Sequence, residues 1–200
     1  SVSPEFINEI NTYLDTFKYE NSMWVFPGED TTVRELIQKH LFVPGSPVME
    51  CLGGFPPEKV YSVIRAVKFS DTKRAFEIHY DNYEDTLLIP LKLPKDEPRG
   101  DIYIYENSRR RPSNILWHVI VKVLVQNKFA IRFMLKNLKD KFTKVSVLPG
   151  DVVQFNGFHS LHYNEGVSSE RRSLLIHFNK PFENSLIVKL IEAYSRFKVR

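Results

Sequence analysis

In the stretch FEIHYDNYEDTLLIPLKL, residues 76 to 93, His79 and Asp81 stand one residue apart just ahead of an apolar run. In extended chain, residues two apart share a face, so this imidazole and this carboxylate can converge on one point. A satisfied polar pair at a strand end would use the same spacing, and so would two ligands of a metal. A third ligand would come from LPGDVVQFNGFHSLHYNEGVSSERRSLLIHFN, residues 148 to 179, where His159 and His162 compete. Two imidazoles and one carboxylate suit non-haem Fe(II), with coordination positions left open for other ligands. Such a site needs neutral imidazoles, each oriented through its other ring nitrogen.

Those residues must be held by the elements around them. SPEFINEINTYLDTFKY reads as a helix, with Ser3 as cap, Pro4 in the first turn, and Phe6, Ile7, Ile10, Tyr13, Leu14 and Phe17 as its apolar stripe. TTVRELIQKHL reads as a second helix capped by Thr31 or Thr32, after a loop holding Pro27 and Gly28. VPGSPVMECLGGFPPEK carries four prolines and three glycines and reads as turns and loop. Strands are expected over 60–69, FEIHY, TLLIPLKL and 99–106. Strand, Pro-Gly turn and strand follow in KVSVLPGDVVQFNG, then a strand in RRSLLIHFN and an amphipathic helix, or a mix of strand and helix, over 181–200. Helices first and many short strands afterwards predict one mainly β domain with flanking helices. Its parts are an N-terminal helical cover (1–58), a β core (60–180) and the C-terminal helix.

At this point the residues resemble a family, the Fe(II)- and 2-oxoglutarate-dependent oxygenases, and within it the prolyl-hydroxylase-like branch. That family's pattern is His-x-Asp, a later His, and a basic residue about ten positions further on. Here His79-Tyr80-Asp81 is followed by His162, then Arg171 and Arg172 at plus nine and plus ten. PGDVVQFNGFHSLH resembles the family's lead-in to the second His, and RGDIYIY its Gly-Gly-acidic strand, with Arg99 in place of the first Gly. The resemblance covers roughly residues 60 to 180.

It implies a double-stranded β-helix, a cupin-like jelly roll, with iron held by His79, Asp81 and His162. His159 is then a loop or supporting residue, and His40, His118 and His177 are packing or surface residues. Arg171 with Ser173 would bind the distal carboxylate of 2-oxoglutarate, a match for a guanidinium fork. Arg172 is the second candidate for that role and Lys92 a more distant one, while Asn82 and Thr86 would support the metal motif. The activity implied is a hydroxylase reaction that uses O2 and couples oxidative decarboxylation of 2-oxoglutarate to C–H oxidation. Two other readings of the same residues stay open: a cupin-like binding or sensing module without oxygenase activity, and a hydrolase or isomerase on another metal.

Net charge is +4 with a pI near 9.0, which favours anionic partners in general. The one cysteine, Cys51, excludes an intrachain disulfide and a zinc site built from several thiolates, and a cytoplasmic setting is expected. Between Asp81 and His162 lie 80 residues, more than a minimal member needs, and the surplus is a helical, basic and apolar insert over about 107–144. Lys122, Lys128 and Arg132 argue against a membrane span, at roughly 2.5–3.5 kcal/mol each near the bilayer centre. The insert reads as strands plus a packed helix, as a wall attracting an anionic acceptor, or as a surface for lipid or a second subunit. The acceptor could be an anionic sugar, a lipid-linked group or a peptide. Nucleic acid is disfavoured, because no aromatic stacking platform adjoins the charge.

Overall fold

The apolar stripe of the first helix needs a partner, and it finds one in a β-sheet. The computed structural model describes residues 1–68, 77–112 and 114–182. The helix expected over 181–200 lies outside them from residue 183 on. So do Phe69, at the end of one expected strand, and Phe76, at the start of FEIHY. Helices α1 (Pro4–Leu14), α2 (Thr31–His40) and α3 (Pro47–Leu52) precede most of the strands, and β1 (Ser22–Val25) lies between the first two. Strands β2 (Tyr61–Val67), β3 (Asp85–Lys92) and β4 (Ile102–Tyr105) follow. Then come α4 (Ile115–Val125), α5 (Lys128–Asn137), β5 (Thr143–Val145), β6 (Val153–Asn156), β7 (Leu161–Asn164) and β8 (Arg171–Phe178).

The strands form two antiparallel sheets, β1-β2-β8-β3-β6 and β5-β4-β7. Leu88, Phe155, Val153 and Leu175 of the larger sheet meet Ile102, Ile104 and Val145 of the smaller one, so the two sheets enclose a thin apolar layer. This is a jelly-roll double-stranded β-helix flanked by helices. On the outer face of the larger sheet, Ile64, Leu87, Ile89, Leu174 and Ile176 pack under Phe6, Ile10, Leu14, Val33 and Ile37. Each such fully buried side chain contributes about 1.5–3 kcal/mol.

The sequence pattern and the structure part at the cap of α2 and at α3, and the structure resolves the expected helical insert into two helices. Asp30, rather than Thr31 or Thr32, caps α2, accepting from Val33 N at 2.9 Å, and it also accepts from Tyr13 Oη at 3.0 Å. The Pro- and Gly-rich stretch read as loop contains α3. Pro47 opens that helix, Ser46 caps it, and Gly53 ends it at φ 56° in the left-handed region. The insert forms two helices, each capped by an Asn (Asn114 and Asn127), and they lie on the outer face of the smaller sheet. There Val121, Ile131, Met134 and Leu135 cover Tyr80, Leu161 and Tyr163.

Candidate metal centre

His79 lies in an isolated bridge rather than a ladder strand. His79 N donates to His162 O at 3.0 Å, and His162 N donates to His79 O at 3.1 Å. Asp81 N donates to Gly157 O at 2.9 Å. Those three bonds bring His79, Asp81 and His162 together. Both imidazole Nε2 atoms face Asp81 Oδ1, at 3.7 Å from His79 and 3.5 Å from His162. All three ligating atoms lie within 4.8 Å of one another. Ligand bonds of about 2.1 Å put neighbouring donors about 3 Å apart, so the spacing is a slightly open version of a metal site.

The tautomers agree. His79 Nδ1 meets Glu77 O at 2.9 Å, and His162 Nδ1 meets Ser160 O at 3.1 Å. A carbonyl only accepts, so each Nδ1 carries the proton and each Nε2 presents a lone pair to the site. Burial, reinforced by the neighbouring His162, pushes His79 down to about 4, so its imidazole is neutral near pH 7. Burial alone would raise Asp81; the facing His162, His177 and His79 outweigh it and hold the carboxylate well below its usual range. Thr86 Oγ1 donates to Asp81 Oδ2 at 2.7 Å, which keeps Oδ1 for the imidazoles. Having given its proton there, Thr86 accepts from His177 Nδ1 at 3.0 Å. A Cβ at Gly157 would overlap both Asp81 Oδ2 and Thr86 Oγ1, so this corner requires glycine.

Arg171 is the second feature. It is 7% exposed, and Nη1 donates to Asn164 Oδ1 at 3.1 Å. Its Nε and Nη2, and Ser173 Oγ, are buried with no hydrogen-bond partner among the described residues. A buried guanidinium with unused donors is costly unless an anion fills the gap. Burial, then the nearby charge of Arg65, lowers Arg171 to about 10, although Asp101 and Glu165 oppose the shift. Gly100, at φ +80°, makes room for this side chain: a Cβ there would lie 2.6 Å from Arg171 Cδ. Asn164 stands two residues beyond His162 on β7, about 7 Å along the same face at a strand's rise. Asn164 thus ties the Arg171 guanidinium to the strand that carries His162.

No protein-family model matches the chain, and no curated protein matches it by sequence. Solved structures do. HygX from Streptomyces hygroscopicus, solved with nickel and 2-oxoglutarate bound, superimposes with a TM-score of 0.57 at 10% identity, over 90% of this chain and 80% of that one. An oxidoreductase of the 2OG-Fe(II) oxygenase family from Burkholderia pseudomallei gives 0.53 at 9% identity, with the same two coverages of 90% and 80%. The non-heme alpha-ketoglutarate-dependent epimerase SnoN of nogalamycin biosynthesis gives 0.51 at 13%, over 88% of this chain and 74% of that one. The chain has the 2OG-Fe(II) oxygenase fold.

Within this oxygenase fold the remaining candidates separate. His159 is not part of the cluster; its Nδ1 meets Arg109 O at 3.2 Å in the loop beyond β6. Arg172 points to the other face of β8, where Nη2 meets Asp15 Oδ1 at 2.6 Å and Glu170 Oε1 at 2.8 Å, tying α1 to the sheet. Lys92 is on that face too, paired with Glu170. Strict alternation would put Lys92 inward with Leu88, but the register shifts between Pro90 and Lys92 and sets Lys92 opposite Arg172. His177, expected among packing or surface residues, is buried 3.9 Å from Asp81 Oδ2 and supports it through Thr86. Arg65 was not a candidate at all, yet it lies opposite Ser173 on β2, on Arg171's face of the sheet. Nothing in the local sequence of Arg65 marks it; only the β2–β8 register does.

Proposed function

We propose that this chain is an Fe(II)- and 2-oxoglutarate-dependent dioxygenase that hydroxylates an acceptor. The observation that carries the reading is Arg171, a buried cation with unused donors that bonds Asn164, two residues beyond His162 of the His-Asp-His cluster. A keto-dicarboxylate has a chelating end for a metal and a carboxylate for a fork, and the pocket offers both. Iron and 2-oxoglutarate, when bound, would supply the oxidising chemistry.

The residues of the chain bind, orient and exclude water. His79 and His162 are aimed by the carbonyls of Glu77 and Ser160, and burial keeps His79 neutral. Asp81 brings the negative charge, oriented by Thr86. Leu88, Ile102, Ile104 and Phe155 keep the walls apolar, which strengthens the Arg171–carboxylate attraction. An anionic acceptor is favoured. Lys59, Arg111 and Lys180 rim a cleft of about 490 Å³ that reaches Tyr83. Tyr83 stacks at 5.3 Å on His177, behind Asp81. Glu84 engages Arg111 at 3.3 Å, so the rim keeps a net positive charge.

The test is an anaerobic titration of metal-free protein with Fe(II) and 2-oxoglutarate, followed by the weak visible charge-transfer absorption of the chelate. Absorption that disappears in His162→Ala, together with acceptor-dependent succinate release, is the expected result. Folded protein that gives no absorption at saturating iron would overturn the reading.

A further inference from the structure

Helices α4 and α5 carry seven of the eleven large hydrophobic side chains that stand exposed among the described residues. Leu116, Trp117, Ile120, Val123 and Leu124 line one side of α4 at helical spacing, and Val123 is 63% exposed. Phe129 and Phe133 continue the stripe on α5, exposed by 79% and 64%. The opposite sides are in use: His118, Val121 and Val125 of α4 and Ile131, Met134 and Leu135 of α5 face the protein. Apolar surface on this scale marks an interaction site.

Charge decides what the surface meets. No Asp or Glu occurs between Glu106 and Asp140, while eight Lys and Arg do. Lys128, Arg132 and Lys136 are exposed at a four-residue spacing beside Phe129 and Phe133. A second copy on this face would bring cation against cation with no acid to answer. A span is excluded by length: α4 has 11 residues, about 16 Å of helix against a hydrocarbon core of about 30 Å. No helix among the described residues is long and apolar enough to cross a membrane. Trp, Phe and Leu on one side with Lys and Arg beside them are the mark of a helix lying in a lipid interface.

We infer that the α4–α5 hairpin docks this protein on an anionic bilayer surface. The hairpin's other side carries the metal loop. His118 Nε2 meets Asn82 Oδ1 at 3.3 Å and Lys122 Nζ meets it at 2.9 Å, next to Asp81. The docking itself does not depend on the oxygenase reading.

The test is co-sedimentation of the full chain with vesicles of phosphatidylcholine alone and of phosphatidylcholine mixed with phosphatidylglycerol. Binding to the mixed vesicles, weakened by salt, is expected. Replacing Lys128, Arg132 and Lys136 together by Gln should weaken it about fivefold per cation, roughly a hundredfold in all. Phe129→Glu with Phe133→Glu should abolish it. With Trp24→Phe as background, the Trp117 emission should shift to the blue on the mixed vesicles and not on neutral ones. Circular dichroism and urea titration confirm that each variant is folded. No sedimentation with the mixed vesicles overturns the inference, whether the chain is then monomeric or self-associated. So does binding that none of these substitutions changes. The assay reads no turnover, so a failure here leaves the catalytic reading standing, and the reverse also holds.

Discussion

Arg171 and Arg172 are chain neighbours with opposite surroundings, and the contrast yields a paired prediction. Arg171 is buried with Nε and Nη2 unused, so in the ligand-free protein its charge costs stability rather than adding it. Arg171→Ala should therefore leave urea stability unchanged or raised. It should weaken 2-oxoglutarate binding to the metal-loaded protein, by about one to two orders of magnitude for each charged hydrogen bond lost, at about 1.5–3 kcal/mol apiece. Arg171→Lys should fall between the two, keeping the charge but not the fork. Arg172→Ala should do the reverse: about 1–3 kcal/mol of stability lost with its bonds to Asp15, Glu170 and Asn11, and 2-oxoglutarate affinity unchanged. Calorimetry of 2-oxoglutarate binding and urea titration of each variant separate the roles, and a stability loss in both with no affinity change would remove Arg171 from the pocket. The split between 171 and 172 was legible because β8 is regular and side chains alternate. Lys92 was not legible, because the irregularity after Pro90 lies in the pairing of β3 and β8 and not in the composition of either. The same holds for Arg65, whose place opposite Ser173 is a fact of register.

Helix α4 couples the insert to the metal loop through one buried imidazole. His118 Nδ1 accepts from Arg109 Nη2 at 2.9 Å, so its proton is on Nε2, toward Asn82 Oδ1. A second proton would face the guanidinium directly. Burial, with the charges of Arg109 and Lys122, accordingly lowers His118 to about 4 from its ordinary value near 6.5. The unfolded chain then binds the proton more readily than the folded one, so folding stability is fully present above about pH 6.5 and declines as pH falls toward 4. Chemical denaturation of metal-free protein from pH 7 down to pH 4 should show that decline, and His118→Gln should flatten it whatever its effect at neutral pH. An unchanged slope would mean that the Arg109 contact does not set the protonation of this residue. The insert over 107–144 was expected to be helical, but the bounds of α4 and α5 were not drawn: ILWHVIVKVLV is apolar on nearly every side, and such a run fits a buried strand as well as a helix. The asparagine caps at Asn114 and Asn127 were the signals that could have settled it. At α3 the error ran the other way. Pro47 and Gly53 were read as loop formers, although Pro opens helices and Gly ends them.

Taken whole, the molecule stacks helices, larger sheet, apolar layer, smaller sheet and the α4–α5 hairpin. The stripe over Phe6, Ile10 and Leu14 was legible as a helix face, and its seat on the back of the larger sheet followed from the jelly-roll resemblance. Strand β1 was not legible, because four residues at a sheet edge carry too little pattern. The layering separates stability from binding. Phe6 is fully buried beneath α2 and against the outer face of the sheet, one whole layer from the metal cluster. Phe6→Ala should destabilise the protein by about 3–5 kcal/mol. Saturating metal and 2-oxoglutarate should then stabilise wild type and variant by the same increment, about 2.7 kcal/mol at a hundredfold excess over Kd, because the linkage depends only on affinity for the folded state. Urea titrations with and without the ligands measure both quantities. Equal increments would show that α1 covers the sheet without shaping the pocket. A smaller increment in Phe6→Ala would mean that the helical cover reaches the site through β8, where Leu174 under the helices alternates with Ser173 and Leu175 on the pocket side.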